Sequence, residues 1–133
     1  MIEESYVSFE TARLLKEAGF DVPCYKQYSE RGVQWDASCP ENFNADDWGC
    51  SCPTQALAAR WLREAHGIHV FPVYQYLPEK WSYVIQYLSG KWSYVIQNMT
   101  YVNSEKGMHT DVFYSCEESL EAGLREAIKL IKN

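Results

Sequence analysis

Three consecutive segments between residues 68 and 99 are rich in β-branched and aromatic residues, and no helical periodicity interrupts them. They span residues 68–76, 81–87 and 92–99, and short turn-forming stretches separate them. Residues of this kind favour strands, and strands that follow one another without an intervening helix pair antiparallel. The chain is therefore predicted to contain an antiparallel meander rather than a parallel, doubly wound sheet.

Capping residues and apolar periodicity predict three helices around these strands. Ser8 can cap a first helix that ends at Gly19, and Pro53 suits the first turn of a second helix that ends at Gly67. A capping box at residues 115–118 marks the start of the final helix, whose apolar residues recur on one stripe. Each helix is thus predicted to bury one face.

The remaining segments complete an α+β domain. Residues 24–35 read as a β-hairpin, residues 36–51 as a long loop, and residues 112–114 as a short strand. The predicted order is α-β-β-α-β-β-β-(β)-α, with helices packed on one face of an antiparallel sheet. A length of 133 residues with 47% hydrophobic residues suits one core, so residues 1–133 are predicted to form a single domain.

An internal duplication lies inside the predicted meander. The sequence KWSYVIQ occupies residues 80–86 and recurs unchanged at residues 91–97, so segment 80–90 is followed directly by a copy of its first seven residues. The period is too short for a solenoid repeat. A turn at Ser89-Gly90 would pair Tyr87 with Trp92 and place the aromatic residues of both copies on one face. Strand pairing and core packing are the roles predicted for them.

Three segments carry a resemblance to a known group of proteins. The segments SFETA at residues 8–12, PTQALAARWLRE at 53–64 and LEAGL at 120–124 resemble a family of small uncharacterised proteins from gut-dwelling anaerobic bacteria and their phages. The likeness spans most of the chain, but the sheet region with the duplication is longer here. The family has no assigned activity, cofactor or site residues, so the resemblance implies only a link to mobile elements.

Two cysteines are candidates for a catalytic nucleophile. Cys50 and Cys52 lie near the predicted start of the second helix, where free amides and the helix dipole can lower the pKa of a thiol. His69 or His109 can act as the base, with Asp111 as an orienting group. The flanking sequence matches no thiol-enzyme motif, so small loop or buried thiols are the favoured interpretation.

The same region offers soft metal ligands, namely Cys39, Cys50, Cys52 and His66. Structural zinc sites usually pair their ligands two to four residues apart in two knuckles, and one intervening residue between Cys50 and Cys52 is too few. Cys39 stands alone in the sequence. No metal and no cofactor are therefore predicted.

The charge pattern and the cysteine count limit the partners and the compartment. The net charge is −6, and the 12 basic residues are scattered, which disfavours nucleic-acid binding. No apolar run is long enough for a membrane helix, and no leader precedes the first helix, so a cytoplasmic protein is expected. Five cysteines in such a chain favour reduced thiols.

These observations favour a non-enzymatic, intracellular protein-interaction or accessory domain with an unknown protein partner. The aromatic content of 15% and the lack of a catalytic motif support it, and an exposed aromatic patch is expected on a sheet face that the helices leave uncovered. Two alternatives stay open: a cysteine-dependent enzyme, and a nucleic-acid modulator of a mobile element. The sequence does not indicate the oligomeric state.

Overall fold

The computed structural model of the chain describes residues 2–75, 80–89, 93–97 and 113–131, and at 75, 87–89 and 93–97 it describes the backbone. Within these ranges three helices and six strands form an α+β fold in the predicted order, with one additional strand. The elements are α1 (Phe9–Glu17), β1 (Cys24–Ser29), β2 (Gln34–Glu41), β3 (Gly49–Ser51), α2 (Gln55–His66), β4 (Ile68–Gln75), β5 (Lys80–Ser89), β6 (Ser93–Gln97) and α3 (Cys116–Lys129).

Local signals at the helix ends behave as the sequence predicts, with one small difference. The Ser8 hydroxyl accepts the Thr11 N–H at the start of α1, and Gly19 ends that helix with a φ of 95°. Helix α2 begins after Thr54, whose hydroxyl accepts the Leu57 N–H, so Pro53 precedes the cap instead of lying in the first turn. Pro53 has no N–H to donate, but its carbonyl oxygen accepts the Val7 N–H at 3.1 Å.

The first sheet contains the predicted hairpin and a third strand from the predicted loop. Its order is β2-β1-β3, and both pairs are antiparallel. Residues 36–51 were expected to be a loop because they lack periodicity, yet β2 continues to Glu41 and β3 follows a 3-10 turn at Phe43–Ala45. The Asn44 side chain accepts the Ser51 N–H at 2.8 Å, so a polar residue without strand propensity holds this edge in place.

The second sheet is the predicted meander, in the order β4-β5-β6. Helix α3 packs against β4 and β5, and Ser82 to Gln86 are all buried, as expected for a strand covered on both faces. Phe113 exchanges two backbone hydrogen bonds of 2.8 Å with Trp81 and forms an isolated bridge where a short strand was predicted. None of the helices within the described ranges has the length and hydropathy of a membrane span.

The predicted register between the duplicated segments is wrong. Ile85 lies opposite Gln97, and Leu88 lies opposite Tyr94, three positions away from the expected pairing. The last pair, Ser89 with Ser93, leaves three residues between the strands where a two-residue turn was assumed. Because the shift is odd, no residue of the first copy lies opposite its equivalent in the second copy.

Deleting residues 80–90 is expected to leave a folded domain. The second copy would then take the place of the first, and identical residues would restore seven of the eight pairs between β4 and β5. The sheet would lose only its edge strand, so we expect a cooperative thermal transition with a moderately lower midpoint. Circular dichroism during heating measures this directly.

The matched control deletes β4, which has no second copy in the chain. That variant should show no cooperative transition, because α2 and α3 both pack against β4. If the 80–90 deletion behaves like the β4 deletion, the first copy has acquired a role that the second cannot fill, and the duplication is not interchangeable.

Candidate interaction surface

The thiols that the sequence marks as nucleophile candidates are buried. Cys50 pairs with Tyr28 across β1 and β3 and is 2% exposed. Burial raises the pKa of Cys50 to about 11, and the nearby Lys16 and Arg13 charges only partly offset this. Burial also raises the pKa of the neighbouring Cys52. Both groups are therefore protonated at neutral pH, which is the opposite of what a nucleophile needs.

The start of α2 and the two thiols are held by different contacts. The sequence predicts that free amides at this helix start can stabilise a thiolate. The Thr54 hydroxyl caps that end, while the Cys52 N–H is bonded to the Lys26 carbonyl oxygen in the first sheet. Cys52 lies three residues ahead of the helix, with its Sγ 3.4 Å from the Gln34 side-chain nitrogen. Burial is therefore the main cause of the raised pKa of Cys52.

His66 and His69 lie at the far end of α2 from these thiols. His66 is the last residue of that helix, which at 12 residues is about 18 Å long, and His69 follows on β4. Burial lowers the pKa of His69, and the Arg63 charge lowers it further. The structure thus brings neither His66 nor His69 to Cys50 or Cys52. His109 and Asp111 lie outside the described residues.

The candidate metal ligands are also dispersed. Cys39 is exposed on β2, Cys50 and Cys52 are buried beneath the same sheet, and His66 stacks edge-on against Trp61 with ring centroids 4.8 Å apart. Over the described parts of the chain, no group of three or more His, Cys, Asp or Glu side chains is arranged to hold a metal ion.

Alkylation with iodoacetamide at pH 8 should follow burial. We expect the exposed Cys39 to react first, Cys116 more slowly, and Cys24, Cys50 and Cys52 last. Burial raises the pKa of Cys24 and of Cys50 to about 11, so their thiolate fraction at pH 8 is roughly a hundredfold lower than that of an ordinary thiol. Tryptic mass spectrometry over time gives the five rates.

Denatured protein serves as the control for that measurement, because all five thiols should then react at similar rates. In the native protein, the rates of Cys24 and Cys50 should keep rising as the pH approaches 11. If Cys50 or Cys52 reacts as fast as Cys39 at pH 8, the thiol-enzyme alternative regains its physical basis.

A partly buried carboxylate joins the three helices. Glu121 of α3 is 15% exposed and accepts hydrogen bonds from the Ser8 N–H at 2.9 Å, from the Thr11 hydroxyl and from the Gln55 side-chain nitrogen at 3.0 Å. Arg125 lies 3.8 Å away on the same helix. Every one of these groups finds its partner inside the protein, so we interpret the cluster as a structural junction.

A shallow groove of about 630 Å³ runs beside this junction. Tyr6, Phe113 and Arg125 contribute to its walls, and Tyr28 and Gln34 reach it from the first sheet. The Tyr28 hydroxyl already donates to the Val7 carbonyl oxygen at 2.6 Å, and Gln34 already contacts Cys52. Polar groups committed in this way leave little with which to orient a small ligand.

An aromatic surface on the first sheet lacks an internal role. Side chains of β1 alternate: Cys24 and Tyr28 point into the core, whereas Tyr25 is 61% exposed. Trp35 of β2 pairs with Gln27, so it shares the outer face with Tyr25, and it is 58% exposed. We call Tyr25 and Trp35 the outer aromatic pair.

Strand β2 adds an open edge beside the outer aromatic pair. It is the outermost strand of its sheet, and seven of its eight residues are exposed. In the second sheet, Ser82, Val84 and Gln86 of β5 are buried on the side that faces away from α3, and Tyr74 of β4 is 53% exposed beside Trp81. The alternation of residues 24–28 is the sequence signal that indicates the pair.

No family model, curated protein or solved structure matches this chain.

Proposed function

We propose that this chain is a non-enzymatic protein-interaction domain that binds its partner through the outer face of the first sheet. The observation that carries the proposal is the outer aromatic pair, in which two large side chains are more than half exposed on one face. Tyr and Trp dominate the binding energy of protein interfaces, because a rigid apolar ring is combined with a polar group.

Exposure of both rings leaves a large apolar area in water. A buried Tyr or Trp side chain removes about 150–250 Å² from water. Covering the exposed halves of Tyr25 and Trp35 would bury on the order of 200 Å², which contributes about 5 kcal/mol before the cost of association. Single exposed apolar residues are ordinary, but two on one face beside an open strand form a surface that a partner can stabilise.

The interior supports a binding role rather than a catalytic one. The raised pKa values of Cys50 and Cys52 leave them without nucleophilic character, and the polar groups around Glu121 are bonded to one another. Neither cluster needs a ligand to be stable. The outer aromatic pair has no such internal explanation.

The proposal is tested by capturing partners from lysate of the source cell with immobilised domain. The variants are Tyr25→Ser with Trp35→Ser, and Trp48→Ser as a matched control. Trp48 is 57% exposed but precedes β3, away from the pairing of β1 with β2. We expect a protein retained by the wild type and by the control and lost with the double variant.

Thermal unfolding must first show that all three proteins are folded, and the exposed positions make this the expected result. Retention of the same protein by the double variant would contradict the proposal, as would its loss with Trp48→Ser alone.

A further inference from the structure

The second sheet has one central position, and two segments of the chain carry the sequence that fills it. Strand β5 lies between β4 and β6 and packs against α3. Its sequence KWSYVIQ at residues 80–86 recurs at 91–97. We propose that the two copies exchange: in a second, less populated conformation, residues 91–97 pair with β4, and residues 80–90 join the connection that follows β4.

The pairing with β4 is the same for either copy. Seven consecutive pairs between β4 and β5, with Lys80 and Gln86 at their ends, use residues of the duplicated sequence. A move of eleven residues along the chain replaces each of the seven by an identical residue, so every side chain keeps its partner and its face. The eighth pair changes, because Asn98 takes the place of Tyr87.

Helix α3 contacts β5 at residues that the duplication repeats. The Ser82 carbonyl oxygen accepts a hydrogen bond from the Ser119 hydroxyl. Gly123 lies so close to Tyr83 that an added Cβ would stand 2.9 Å from Tyr83 Cγ. The corresponding positions of the second copy hold the same two residue types. In both conformations α3 therefore meets the same backbone and the same side chains.

The cost of exchange lies in the edge of the sheet and in a connection. Strand β6 pairs with β5 over five positions, from Ile85 with Gln97 to Ser89 with Ser93, and exchange gives up these pairs. The connection after β4 lengthens from residues 76–79 to residues 76–90. Loop-closure entropy then lowers the population about sevenfold. With the lost edge pairs added, we expect the second conformation at on the order of 0.1–10%.

The exchange uncovers a segment that is buried in the major conformation. Tyr83, Val84 and Ile85 are each 5% exposed or less, and they leave the interior together when the second copy takes their place. Strand β4 and helix α3 keep an identical neighbour. An apolar strand is thus exposed and buried again without unfolding of the domain.

The test traps each conformation with an engineered disulfide. Val73 lies opposite Ser82, so Val73→Cys with Ser82→Cys reports the major conformation. Ser93 replaces Ser82 after exchange, so Val73→Cys with Ser93→Cys reports the second. In the major conformation Ser93 lies opposite Ser89, about 23 Å along β5 from Ser82. A disulfide requires Cα atoms within roughly 7 Å of each other.

Both double variants are oxidised in a glutathione redox buffer under native conditions, and mass spectrometry of tryptic peptides identifies the cross-links. Trypsin cleaves after Lys80 and Lys91, so the two copies fall in different peptides. The 73–93 cross-link should form within one chain, about ten- to a thousandfold more slowly than the 73–82 cross-link, in proportion to population. Its absence, or its formation only between two chains, would overturn the inference.

Proline variants separate exchange from global unfolding. Val95→Pro removes a backbone donor from the second copy, so it should abolish the 73–93 cross-link while the domain stays folded, since β6 is an edge strand. Val84→Pro disables the first copy, and the domain should still unfold cooperatively on heating, with 73–93 now the major cross-link. The two prolines together should remove the cooperative transition. An unfolded Val84→Pro variant, or a 73–93 cross-link that forms equally fast with Val95→Pro, would contradict exchange.

Discussion

Replacing Glu121 with alanine should destabilise the domain by about 3–5 kcal/mol, because three donors from two other segments lose their acceptor at once. The Ser8 N–H, the Thr11 hydroxyl and the Gln55 amide are held around a carboxylate that is 15% exposed, so water replaces it only in part. Urea or thermal unfolding should show a large loss with the cooperativity retained.

Two further variants make that result specific. Glu126→Ala, in the same helix, removes an exposed carboxylate whose contact with Lys129 spans 3.6 Å, and it should cost less than about 0.5 kcal/mol. A double-mutant cycle of Glu121→Ala with Thr11→Val should show a coupling energy of about 1–2 kcal/mol. If Glu121→Ala costs no more than Glu126→Ala, the carboxylate does not hold the three helices together.

Replacing Gly123 with valine should cost about 3 kcal/mol or more, because α3 touches the second sheet at this residue. A Cβ at Gly123 would lie 2.8 Å from Val70 Cγ2 and 2.9 Å from Tyr83 Cγ, well inside normal contact distance. Overpacking of this kind typically costs 1–3 kcal/mol, and a branched side chain adds two more methyl groups. Gly123→Ala should lose less, since alanine regains up to about 1 kcal/mol of helix propensity.

The control for the glycine is Glu126→Val, which places the same side chain on the solvent face of α3. It should cost only a few tenths of a kcal/mol, the helix propensity difference. Denaturant unfolding of the three proteins gives the comparison. A Gly123→Val variant as stable as Glu126→Val would mean that α3 does not pack on β4 and β5 at this position.

The elements that local chemistry determines could be predicted from the sequence. Ser8, Thr54 and Ser115 each accept an N–H at the start of a helix, and Gly19 and Gly67 end the first two with positive φ angles. Such contacts lie within a few residues, so residue identity and spacing reveal them. The three segments of the meander are also recognisable, because each contains many residues that favour strands.

Features that depend on contacts between distant residues could not be predicted in this way. The register of β5 and β6 lies three positions from the predicted one, and three residues instead of two separate the paired strands. Strand β3 forms because Ser51 and Cys50 meet Gln27 and Tyr28, more than twenty residues earlier. A strand of three residues is too short to show a periodicity in the sequence.

The candidate site shows the same division between local and distant effects. Proximity to a helix start was a reasonable argument for reactive thiols, but the burial that raises the pKa of Cys50 comes from the packing of α1 and the first sheet. The exposure of Trp35 likewise follows from its place on an edge strand, which the hairpin pattern alone does not specify. The sequence pattern identifies these residues, whereas packing determines the pKa of Cys50 and the exposure of Trp35.

Fluorine NMR of the domain labelled with 5-fluorotryptophan tests the binding surface most directly. The five tryptophans give five resonances, and the Trp35→Phe variant assigns the one of interest. On addition of the protein that the wild-type domain captures, the Trp35 resonance should shift or broaden, while those of the buried Trp61 and of the exposed Trp48 stay unchanged. A complex that forms with the Trp35 resonance unmoved would contradict binding through the outer face of the first sheet.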